Sequence, residues 1–176
     1  MVKQARSLEW MLWTQVLLMV LGCWPAFGQT DEVELAPPPL RVLEKGDKEQ
    51  LDREKDIGSR TKLSLKLMEG KLAKAEVHNN SQSFEEMLRE LGHFLALIDD
   101  SLEFLSRNNK GSGKVLDNFK RLEIGLRKFI PRVEVVRRDL PLKYEDYVRK
   151  LMIRIRDARS KATEPLFGVT VLPDGP

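Results

Sequence analysis

At 176 residues, with 41% apolar and 32% charged residues, the chain has the length of one domain plus terminal segments, and its formal net charge of +3 is too small to name a partner. The single cysteine, Cys23, excludes an internal disulfide framework and any cysteine-based metal site. If Cys23 leaves with a leader, thiol nucleophiles and thiol redox chemistry are excluded as well.

Residues 1–28 have the three parts of a secretory signal. Lys3 and Arg6 supply a positive start, an apolar run from Trp10 to Trp24 follows, and Ala26-Phe27-Gly28 places small residues where a signal peptidase reads. Cleavage before Gln29 is the expectation, since the apolar run falls short of the roughly 20 residues a bilayer span needs. Val20-Leu21-Gly22-Cys23 also resembles a bacterial lipoprotein box, so lipid anchoring at Cys23 stands as the rival to soluble export.

Residues 29–46 read as a disordered Pro-rich tether, because Ala36-Pro37-Pro38-Pro39 favours extended geometry and cannot propagate a helix. A helical domain is expected over 47–164, where apolar residues recur at helical spacing with no sustained alternation. The first helix spans Asp47–Val77, with an irregularity at Ile57-Gly58-Ser59. The second starts at Ser83, where Ser83-Phe84-Glu85-Glu86 has the form of a capping box. After the turn Asn108–Gly113, a third helix covers Lys114–Asp139 with a kink at Pro131. A fourth covers Lys143–Thr163 and stops at Pro165. Residues 165–176 form a C-terminal tail. The fold class is therefore all-α, an antiparallel bundle of four long helices joined by short turns, with a three-helix array as the alternative.

Few constellations point to chemistry. Glu90-Leu91-Gly92-His93 is a Glu-x-x-His on a bundle helix, the element that di-iron bundles use in pairs. It occurs once, so Glu90 and His93 are candidate metal ligands without a second half-site. No Cys-x-x-Cys-His motif is present for haem, and two histidines supply no recognisable triad. Gly111-Ser112-Gly113-Lys114 lacks the spacing of a phosphate loop and reads as a turn. No cofactor is expected.

Charge is the better clue. Residues 30–108 carry 12 Lys/Arg against 17 Asp/Glu, whereas residues 109–164 carry 16 against 8. Arg149, Lys150, Arg154, Arg156, Arg159 and Lys161 crowd the last helix, as a solvated outer face or as a surface for an acidic partner or anionic headgroups. Nucleic acid is not expected, since no aromatics interleave these charges. The resulting expectation is an exported, non-enzymatic protein, periplasmic or secreted. It would work through its helical surfaces on a protein partner in the cell envelope, as scaffold, adaptor or holdase-like binder. A membrane-surface role and a metal-binding bundle are the alternatives.

Overall fold

A computed structural model describes residues 35–109 and 112–167, all within the unit Val33–Pro176. The leader with Cys23, residues 29–34 of the expected tether, Lys110 and Gly111 of the turn, and the tail from residue 168 lie outside the described residues. Among the described residues the regular elements are all helices. These are α1 (Lys45–Arg53), α2 (Ile57–Asn80), α3 (Phe84–Arg107), α4 (Gly113–Arg138) and α5 (Leu142–Phe167).

The expected first helix is two helices. The chain breaks at Glu54–Asp56, and Asp56 caps α2, its Oδ1 accepting a 2.9 Å hydrogen bond from the Ser59 amide. Ile57-Gly58-Ser59 is thus the first turn of α2 and not a flaw inside a longer helix, because an aspartate with an extended backbone is a strong start signal. At the other end α2 closes with paired bonds from the Ser83 amide to the His78 carbonyl and from the Gln82 amide to the Asn79 carbonyl. Gln82 takes the left-handed conformation, φ 59°, that this closure demands and glycine usually fills. The Ser83 hydroxyl makes no capping bond, and Glu86 pairs with Arg89, so the capping box does not form.

Neither proline breaks its helix. α4 runs through Pro131, and α5 continues past Pro165 to Phe167. A proline deprives the carbonyl four residues earlier of its donor. Here those carbonyls belong to Arg127 and Lys161, both exposed residues where water can replace the lost bond.

Successive helices are antiparallel, as the short turns require, and α2/α3 and α4/α5 are the two closest hairpins. The hairpins lie side by side, with α2 on α4 and α3 on α5, while α2 and α5 are not packed together. These lateral neighbours run parallel. Asp56 meets Lys114 at one end of the α2–α4 seam and Glu76 meets Arg132 at the other. Glu85 meets Tyr144 and Asp99 meets Arg154 along α3–α5. The turn from α3 to α4 therefore crosses a diagonal of the bundle, and α3 and α4 occupy opposite corners.

The core is aliphatic, with Phe94 and Phe119 as its largest fully buried side chains. Phe94 meets Phe129 edge-on at 5.4 Å, linking α3 to α4 across the diagonal. α3 is buried on almost every side, including the consecutive run Phe94–Ile98. Two neighbouring helices cannot cover a helix that completely. The remaining cover comes from the N-terminal segment.

Candidate functional site

Of the described part of the expected tether, residues 35–44 are a strap lying along α3 and α5, while Lys45 and Gly46 already belong to α1, two residues before the expected start of the helical domain. The Ala36 amide donates to the Lys143 carbonyl at 3.1 Å, and the strap backbone passes over Gly92. A Cβ at Gly92 would stand 2.6 Å from the Leu40 carbonyl oxygen, so only glycine admits the strap there. His93 Nδ1–H donates to the Val42 carbonyl at 2.6 Å. Tyr147 is buried beside Ala36–Pro38 with its hydroxyl unpaired, and burial pushes its phenol up to about 12. Tyr144, three residues before it, stacks at a tilt on Phe84 and donates to Glu85 at 3.0 Å.

Beneath the strap and α1 lies a buried ionic cluster. Lys71 of α2 is 4% exposed, and its ammonium stands 2.6 Å from Glu44, 3.0 Å from Asp47 and 4.0 Å from Glu90. Burial works to lower the pKa of Lys71, but the hydrogen bonds with Glu44 and Asp47 outweigh it and hold the group above its ordinary value. The Lys71 hydrogen bond in turn keeps the Glu44 carboxyl below its usual range, against the opposing effect of burial. His93 Nε2 lies 3.5 Å from the other Glu44 oxygen.

Glu90 and His93 do therefore share a site, but the cation at its centre is Lys71. Among the described residues no group of three or more His, Cys, Asp or Glu side chains is arranged to hold a metal ion. Glu-x-x-His here serves the strap: Glu90 faces the ammonium, Gly92 admits the backbone and His93 holds Val42.

A second buried cation, Arg60, fastens the far end of α1. Its guanidinium donates to the Leu51 carbonyl and to Asp100 at 3.1 Å, and stacks 4.4 Å above the Phe104 ring. Arg60 and Lys71 both occupy core positions of α2, three turns apart, about 16 Å at 1.5 Å per residue. The nine-residue α1, about 13.5 Å long, fits within that span, with Leu51 fully buried.

Lys71, Glu44, Asp47 and Arg60 were not among the sequence candidates. The available signal was a lone cation inside an apolar stripe. Lys71 follows Met68 by three and precedes Ala75 by four, which places it on the buried face.

The six basic candidates of α5 do not share one face. Arg149 and Lys150 grip Asp146 at 2.5 and 2.6 Å, and Arg154 turns toward Asp99 on α3 at 3.6 Å. Arg159 points to α4, where it meets the buried Glu123 at 2.7 Å, with Arg127 at 2.8 Å. Burial raises the Glu123 pKa, but the Arg159 and Arg127 hydrogen bonds win and hold it below its ordinary value. Arg156 and Lys161 remain exposed without an ion pair among the described residues.

Shallow grooves flank the strap. One of about 440 Å³ is bordered by Pro37–Leu40 and Val42 on one side and by Glu85, Leu88, Arg89 and His93 of α3 on the other. Leu40 and Val42 rise beside it, 81% and 55% exposed. Among the described residues no helix is long and apolar enough to cross a membrane. No family model, curated protein or solved structure matches the chain.

Proposed function

We propose that the chain is exported and that its folded part acts without catalysis, by binding another protein in the cell envelope as a scaffold, adaptor or holdase-like binder. The observation that carries this reading is the strap. It is tied down at Ala36 and Val42, and between these anchors it raises Leu40 into solvent beside a groove floored by Leu88. An extended segment already held in place spends little conformational entropy when a partner settles on it. The groups with chemical potential, Lys71, Glu90, His93 and Glu123, are taken up by contacts that join one element to another. The basic start, apolar run and small-residue site of residues 1–28 support export.

The test is photo-crosslinking in the producing cell, with a photoreactive residue at Leu40, at Val42 or, as an exposed control, at Val77 of α2. A discrete adduct from the two strap positions, absent from the control, identifies the partner. Equal labelling from all three, or none from the strap, rejects the strap as the binding face.

A further inference from the structure

We infer that the outer face of the α4/α5 hairpin is a docking surface for an anionic phospholipid bilayer, distinct from the Leu40 and Val42 side of the strap. The internal contacts locate this face. On α4, Gly125 and Arg132 point to α2, while Glu123 and Arg137 point to α5. The outward stripe between them, at helical spacing, is Lys120, Ile124, Lys128, Pro131, Val135 and Arg138, with Arg127 beside it. On α5, Arg159 and Glu145 point to α4 and Arg154 points to α3. Arg149, Ile153 and Arg156 form the outward stripe next to α4.

Two features distinguish this face from a merely solvated one. Lys120, Lys128 and Arg156 are exposed and have no carboxylate partner among the described residues; Glu123 and Glu134 on α4 are already paired with Arg159 and Arg137, and the exposed Asp117 and Asp157 leave the cations in excess on this face. Three aliphatic side chains, Ile124, Val135 and Ile153, stand among the cations at 41%, 58% and 49% exposure. Cations that meet headgroups and interspersed aliphatics that enter the acyl boundary are what a bilayer surface recognises. α4 is at the corner opposite α3, so binding here leaves Leu40 and Val42, which lie beside α3, away from the membrane, while Leu35 at the α5 end of the strap adjoins the face at Arg149.

The experiment is flotation of the protein, expressed with its own leader, on phosphatidylcholine vesicles with and without phosphatidylglycerol. The readout is the difference between the parent and the substituted chains on the same anionic vesicles, since any contribution of the leader, Lys3 and Arg6 included, is common to those chains. The expected result is binding confined to anionic vesicles and lost as salt rises from about 0.1 M to about 1 M, where the screening length falls from about 10 Å to about 3 Å. Changing Lys120, Lys128 and Arg156 together to Gln should lower the anionic affinity about a hundredfold, at about fivefold per cation. The control is Lys62→Gln, Lys66→Gln and Lys74→Gln on α2, which alters net charge equally on another helix. Ile124→Ser with Ile153→Ser should weaken binding without changing its salt dependence. Equal loss in the α2 control, equal binding to neutral vesicles, or no vesicle binding would each overturn the inference. So would a salt-sensitive dimer in sedimentation in place of vesicle binding, which would assign the face to the acidic half of a second copy.

Discussion

The α2/α3 and α4/α5 hairpins are built from helices of 24 and 26 residues, yet their outer sides are finished in different ways. The first is covered: the strap closes over α3 and α1 over α2, and two buried cations on α2 hold them. The second presents its outer face to solvent, and its ion pairs, apart from the one at Glu123, are exposed or half-exposed. An ion pair in water contributes little, because solvation competes with it. A buried pair is different, since removing one partner strands the other away from solvent. The contrast teaches where charge holds this fold together: under the strap, more than along the basic helices.

The sharpest way to break the contrast is Lys71→Ala. It leaves Glu44, Asp47 and Glu90 around an empty centre and should cost about 3–5 kcal/mol, read as a lower urea midpoint with faster proteolysis of the strap and α1. Arg159→Ala should cost less, about 1–3 kcal/mol, because Glu123 retains its bond to Arg127. If Arg159→Ala proved as damaging, the two hairpins would be held alike.

A pair of glycine substitutions probes packing in the same two regions. Gly92→Ala drives a methyl into the rigid Leu40 backbone and should release the strap, at a net cost of about 1 kcal/mol after the gain in helix propensity, with accelerated cleavage at 35–44 as the readout. Gly125→Ala meets only the Leu65 side chain, and no backbone, so the clash can be relieved by a rotamer change. Its stability should stay within about 0.5 kcal/mol of the parent.

Acid should loosen the covered region in a defined direction. Hydrogen bonds with Lys71 and Lys114 depress the pKa values of Glu44 and Asp56, Asp56 from 3.8 to about 2. A depressed carboxylate contributes stability above its ordinary pKa and loses it as pH falls through the folded value. Hydrogen exchange should therefore show the strap and α1 opening as pH drops below the ordinary range of Glu44, with the Asp56 cap of α2 following toward pH 2. Glu123 is depressed as well, by Arg159 and Arg127, so the α4–α5 seam also loses stability in acid; opening of α5 before the strap would show that the covered region is not the more acid-sensitive one.

Helical periodicity was enough to read the all-α class, the positions of α3, α4 and α5 and most of the core, because an apolar stripe at 3.6-residue spacing reports burial locally. Phe94, Leu122 and Ile155 can be placed in this way without knowing what they touch. The acidic and basic halves of the chain were equally legible. What the stripe cannot report is which helix lies against which, so the diagonal turn and the parallel α2–α4 and α3–α5 seams emerged only in three dimensions. Long-range contacts also decided the roles of single residues. Glu90 and His93 look like half of a metal site until Lys71, 19 residues before Glu90, enters between the carboxylates. Pro37–Pro39 forbid a helix, but whether an extended segment hangs free or lies on the bundle depends on Gly92, His93 and Lys143, residues remote in sequence that meet it only in the folded chain. Local preference is written in neighbouring residues, whereas docking is the sum of contacts between distant ones, and that sum exists only once the helices have packed.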